Sequence, residues 1–140
     1  MKIRATAMLL VVASVFTVAR QQRVTAGSLY ADARLAFDPE PDSGPVLVTV
    51  DYTVAPERES EFLAAMERLR RSRRRTGATR WELYRDADRP DRFIELFRVG
   101  SWEEHERQHA GRLTAADQEV EEAALAFSDP PPRADHLLPP

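Results

Sequence analysis

Residues 46–54 read VLVTVDYTV, with Val46, Val48, Val50, Tyr52 and Val54 apolar and Thr49, Asp51 and Thr53 between them. A period of two marks a strand with one face in a core. Pro56 follows at a point where a helix can begin, because its missing N–H falls among first-turn donors that lack a partner anyway. Glu57, Glu59 and Glu61 then suit the positive end of the helix dipole. Phe62, Leu63, Met66 and Leu69 recur at helical spacing, arginines crowd the far end, and Gly77 stops the helix. Thr79–Arg85 and Phe93–Val99 are two further strands, and the turn-rich Asp86–Asp91 between them closes an antiparallel hairpin. Ser101 with Glu104 three residues on is a capping box. The helix restarts at Thr114-Ala-Ala-Asp117 after a break near Gly111 and runs to Phe127, Pro130–Pro132 end it, and Arg133–Leu138 supply a last strand. The order is that of an α+β, ferredoxin-like β-α-β-β-α-β domain over residues 46–140.

Working backward from Val46 the character changes twice. Residues 24–45 end in FDPEPDSGP, with three prolines and a glycine, and acids outnumber Arg34, which predicts an extended acidic linker with no core of its own. Residues 1–23 carry Lys2, Arg4, Arg20 and Arg23 and no acid, around the uncharged run ATAMLLVVASVFTVA from Ala5 to Ala19. That run is shorter than the roughly 20 residues a bilayer-spanning helix needs. It fits the remnant of a last transmembrane helix stopped by Arg20 and Arg23 on a cytoplasmic flank. It also fits an export signal with Thr17-Val18-Ala19 at the cleavage point. The basic, Gln-bearing flank and the acidic linker favour the first reading, which places the domain on the cytoplasmic side of a membrane.

Charge and composition narrow the function further. From residue 46 onward 15 arginines face 19 acids, an acidic balance that argues against a general nucleic-acid binder. The absence of cysteine removes disulfides, thiol nucleophiles and thiolate metal sites.

One combination of motifs is more specific than any of its parts: Tyr52 to Pro56, the Phe62-Leu63-x-x-Met66 face, Gly77-Ala78-x-x-Trp81-x-Leu83-Tyr84-Arg85-Asp86, Phe93-Ile94-Glu95, and Ser101-Trp102-x-x-His105-x-x-Gln108-His109. Over roughly residues 44–138 it resembles the antibiotic-biosynthesis-monooxygenase-like domain at the C-terminus of enterobactin-exporter-like major facilitator superfamily transporters. The resemblance implies a dimeric α/β-barrel fold and a chain that lacks most of a transporter and cannot transport alone. It also implies an accessory domain that dimerises or senses a ligand, with no cofactor. Free-standing monooxygenases of that superfamily, the alternative reading, act without a cofactor and many use an asparagine on the first strand. This chain contains no asparagine, so the enzyme question leans toward no.

Several side chains are candidates for chemistry. His105 and His109 stand at i and i+4, a spacing that lets two imidazoles share a metal. No third ligand is nearby in sequence and His136 is distant, so a packed or cavity-lining pair without metal is the expectation. Trp81 and Tyr84 are three apart in a strand and so point to opposite faces. With Trp102 they complete the candidate cavity-lining set. Arg70, Arg71, Arg73, Arg74 and Arg75, with Arg68, form a dense basic stretch, a solvated helix end that could also meet anionic head groups. The expected partner is a second copy of the chain. A four-stranded sheet with helices on one side leaves its other face bare, and both alternating sets of the third strand keep large apolar members.

Overall fold

The computed structural model describes residues 35–140, so the hydrophobic run and the linker up to residue 34 lie outside the described residues. Four strands, β1 (Val46–Thr53), β2 (Arg80–Arg85), β3 (Arg92–Val99) and β4 (Arg133–Leu137), form one antiparallel sheet in the order β2-β3-β1-β4. Helices α1 (Glu59–Thr76), α2 (Trp102–Arg107) and α3 (Ala115–Leu125) complete the ferredoxin-like arrangement.

Local departures from the sequence reading have physical causes. Val54 leaves β1 and makes a lone bridge with Ser128. Pro56 opens a single 3-10 turn, Pro56–Arg58, before α1 begins. Gly77 ends α1 at φ 132°, a backbone region that favours glycine, and its N–H bonds Arg73 O. The break near Gly111 is a π-helical turn, Gln108–Arg112. Thr114 and Asp117 form a complete capping box at α3. At α2 only half of the expected box exists: Ser101 Oγ accepts from Glu104 N–H, while the Glu104 carboxylate is drawn off to Arg107 and Arg112.

The linker joins the domain earlier than Val46. Pro39 is buried, Trp102 N–H donates to Ser43 O at 2.7 Å, and Glu103 N–H donates to Pro41 O at 2.9 Å. Two first-turn donors of α2 that no helix can satisfy internally are thus satisfied by the incoming chain. The end of the segment expected as an extended linker therefore meets the domain from Pro39 onward.

Register decides which face is which. Val46, Val48, Val50 and Tyr52 stand beside Val99, Phe97, Glu95 and Phe93, all buried against the helices. Phe62 from α1 sits among them with no exposed surface, its ring 5.3 Å from Tyr52 and 5.1 Å from Phe93. The outward set is Leu47, Thr49, Asp51 and Thr53 with Ile94, Leu96 and Arg98, and Tyr84 and Leu137 project on the same side. Truncating Phe62 leaves a cavity at the meeting point of sheet and α1. Phe62→Ala is expected to cost about 3–5 kcal/mol, read as a lower urea midpoint with an unchanged slope.

Candidate functional site

The centre of the helix side of the sheet is charged. Arg73, 3% exposed, lies on the core stripe of α1 with its guanidinium 4.4 Å above the Phe97 ring. Its Nε donates to Glu95 Oε1 at 3.0 Å, and its Nη2 is 3.1 Å from Glu121 Oε1. Glu95, fully buried on β3, also accepts from Tyr52 Oη at 2.9 Å and Trp81 Nε1 at 3.0 Å. Burial opposes the charge on Arg73, but Glu121 and Glu95 outweigh it and hold the pKa above its ordinary value. Burial, and then the neighbouring Glu95, push the Tyr52 phenol well up.

Beside this cluster lies a small cavity, about 10 Å³ of water-accessible space, enough for about one water molecule. Its walls are Val48, Val50, Phe97 and Ala134 with Arg73, His105, His109, Glu121 and His136. All three histidines of the chain therefore meet here. The i,i+4 spacing on α2 and its π turn sets the His105 and His109 rings 4.7 Å apart, and the pairing of β4 with β1 places His136 opposite Val48. His136 then lies 4.9 Å from His105. Burial, with help from His109 and His136, lowers His105 to about 3; burial, Arg73 and His136 lower His109 to about 4. Both are neutral at physiological pH. Glu121 Oε1 faces Arg73, whereas its Oε2 is buried with no hydrogen-bond partner among the described residues. Burial raises the Glu121 pKa against the pull of Arg73. The cavity thus presents neutral imidazoles and a carboxyl oxygen with spare bonding capacity to whatever enters it. Among the described residues no three His, Asp or Glu side chains are arranged to hold a metal ion.

Of the residues expected to line a cavity, His105 and His109 do so. Trp102 is buried one layer behind, its ring 5.4 Å from His105 and 5.9 Å from His136. Trp81 is half-buried and tied to Glu95, outside the cavity wall. Tyr84 stands 53% exposed on the opposite face of the sheet and lines nothing here, because odd spacing from Trp81 turns it outward. Arg73, expected on the basic surface, is instead the buried cation, since it continues the Phe62, Met66, Leu69 stripe. Sequence reading passed over Glu95 and Glu121, although Glu95 interrupts the Phe93-x-Glu95-x-Phe97-x-Val99 alternation with a charge at an inward position.

Comparison with known proteins gives a family and a fold. A family model described as transmembrane secretion effector matches residues 1–139. No curated protein matches. Among solved structures, a Bordetella bronchiseptica protein described as a proposed antibiotic biosynthesis monooxygenase is 22% identical with a TM-score of 0.54, the match covering 67% of this chain and 96% of that one. A Caulobacter crescentus protein of the same description is 16% identical with a TM-score of 0.59, covering 69% and 91%. SnoaB, a cofactor-independent oxygenase from Streptomyces nogalater, is 20% identical with a TM-score of 0.53, covering 68% and 90%. At these identities the likeness concerns the fold.

The neutral histidines make stability depend on pH. Unfolded histidine titrates near 6.5, so between that value and about 4 the unfolded chain binds protons that folded His105 and His109 refuse. Their contribution is full above pH 6.5 and is lost as pH falls toward 4. The raised Glu121 acts with the opposite sign, losing stability as pH rises, so the informative quantity is a difference of slopes. His105→Gln is expected to remove up to about 1.4 kcal/mol per pH unit from the slope between pH 6 and 4.5. Urea unfolding of both proteins across that range measures it.

Proposed function

The chain belongs to the transmembrane secretion effector family, and on that footing we propose that its folded part is a non-catalytic, cytoplasmic accessory domain. It serves a major-facilitator-type exporter, senses a small ligand in the histidine cavity and pairs with a second copy of itself. By itself the folded domain does not transport.

One observation carries the sensing role. The linker caps α2 through Ser43 O and Pro41 O, and α2 with its π turn carries His105 and His109 into the cavity wall. A ligand that shifts α2 therefore changes hydrogen bonds made by the chain that leads toward the hydrophobic run. Fit at that junction is close, since a Cβ on Gly44 would collide with Gly100 O. Against catalysis stands the lack of any asparagine; in favour of the monooxygenase alternative stand the cavity and the fold shared with SnoaB.

The cavity as it stands has room for about one water, so a ligand such as hydroquinone has to displace α2 in order to enter, and tryptophan fluorescence with amide exchange at Trp102 and Glu103 on the full chain reads that displacement. Quenching together with altered exchange, and no oxygen consumption, is expected. Oxygen consumption exceeding that of a Trp81→Ala, His109→Ala double variant would shift the reading to the monooxygenase. Neither binding nor an exchange change would sink the sensor for this probe class. Gly44→Ala is expected to speed exchange at the Trp102 and Glu103 amides even without a probe.

Self-association rests on the outward sheet face. Leu47, Ile94 and Leu96 form a half-exposed stripe, flanked by Tyr84 at 53% and Leu137 at 48% exposure. Covering such surface contributes about 25 cal/mol per Å², and a twofold pairing covers it with one self-complementary contact. Residues 35–140 are expected to sediment at twice their mass at micromolar concentration. Leu96→Arg should return a folded monomer; a wild-type monomer that binds no hydrophobic dye would refute the pairing.

A further inference from the structure

We propose that the outer face of the C-terminal half of α1 rests on the anionic head-group layer of the membrane. The contact residues are Arg68, Arg71, Arg74 and Arg75, which the cavity and the sheet face leave unused. Arg68, Arg71 and Arg74 recur every three residues, so they share one face of the helix, and all four are exposed. Arg73, between them in sequence, is withdrawn into the core and contributes nothing to this surface.

The acids that could neutralise the face are few. Glu67 holds Arg70 at 2.6 Å and Arg71 at 3.5 Å, and the nearly buried Asp117 holds Arg75. Arg68 and Arg74 have no carboxylate partner among the described residues. At the other end of α1 the charges are mixed and paired, Arg58 with Glu61 and Arg85 with Glu59.

Topology brings the basic half of α1 to the end of the domain where the chain enters. The last turn of α1 leads through Gly77 to β2, whose first residue Arg80 pairs with Arg98 at the end of β3. Val99, next along, pairs with Val46 at the start of β1, and α2, which holds the linker, begins just beyond. From Val24 to Asp38, fifteen residues separate Arg23, at the close of the basic flank, from buried Pro39. Fully extended, fifteen residues span at most roughly 50 Å, so on the proposed reading, in which the hydrophobic run ends in a membrane near Ala19, the domain stays within a tether's reach of it. Confinement by a short tether raises the effective concentration of the surface, so a few guanidiniums suffice where a free domain would need many.

The chain has no cysteine, so single labels can be placed at will. Full-length protein carrying a dye at Thr79→Cys, next to the end of α1, or at Ala87→Cys, in the far turn, is reconstituted into nanodiscs. These contain phosphatidylcholine with or without phosphatidylglycerol, plus a head-group nitroxide quencher. With phosphatidylglycerol, quenching at position 79 should exceed that at position 87 by at least about twofold. The excess should vanish in pure phosphatidylcholine, near 1 M salt where screening is short-ranged, and in Arg71→Glu, Arg74→Glu, two exposed changes that leave the thermal midpoint unchanged. Equal quenching at both positions in anionic discs, or an excess indifferent to the double reversal, overturns the proposal.

Discussion

Removing a guanidinium from water costs several kcal/mol even after the protein relaxes around it, and Arg73 is 3% exposed. The interior must therefore supply what water would have given. Two carboxylates and the face of Phe97 do so, and each carries its own constraint. Glu95 has to occupy the one inward position of β3 within reach of Arg73, Tyr52 and Trp81 at once, which ties β1, β2 and β3 to α1. Glu121 has to come from α3, which fixes the angle at which α3 packs on α1. An apolar side chain at 73 would leave both carboxyl groups to be desolvated alone. The cluster is thus as much a specification of which helix sits where as a source of stability.

The same cluster explains what the sequence could and could not say. Period-two runs from Val46 and Phe93, the Phe62–Leu69 stripe, Gly77 and the Thr114 box are local signals whose causes lie within a few residues, and the element order followed from them. Arg73 was misplaced because its sequence neighbours are exposed arginines and the local composition reads as a solvated helix end. Only the stripe it continues, four residues beyond Leu69, separates it from them. Tyr84 shows the complementary failure: its aromatic character suggested a wall, while the parity of its position in β2 turned it outward. His136 could not be joined to His105 from sequence, since their proximity depends on β4 pairing with β1 across the whole domain.

That proximity has chemical content. Burial disfavours the charged form of all three imidazoles in this largely apolar enclosure; neighbouring histidines and Arg73 add to the effect at His105 and His109, while Asp135 opposes it at His136. Glu121 beside them is pushed toward its protonated form by the same burial. Arg73 is the cation of the site and is compensated by Glu95 and Glu121, so the site offers hydrogen bonds without an uncompensated positive charge. Such a site suits a neutral, polar ligand group and disfavours an anion that would have to shed its water without a free cation to meet it.

The docked linker gives that site a direction of influence. A helix of six residues such as α2 holds little structure by itself, because nucleating one turn fixes several residues for a single hydrogen bond. Its first turn depends on Ser101 and on the carbonyls of Ser43 and Pro41, and its last turn passes into the π turn that carries His109. On the proposed sensing role, a ligand acting at one end and the incoming chain acting at the other would bias the same short element. Coupling between them is reciprocal by thermodynamic necessity: whatever the ligand does to linker docking, an orientation imposed on the linker does to ligand affinity.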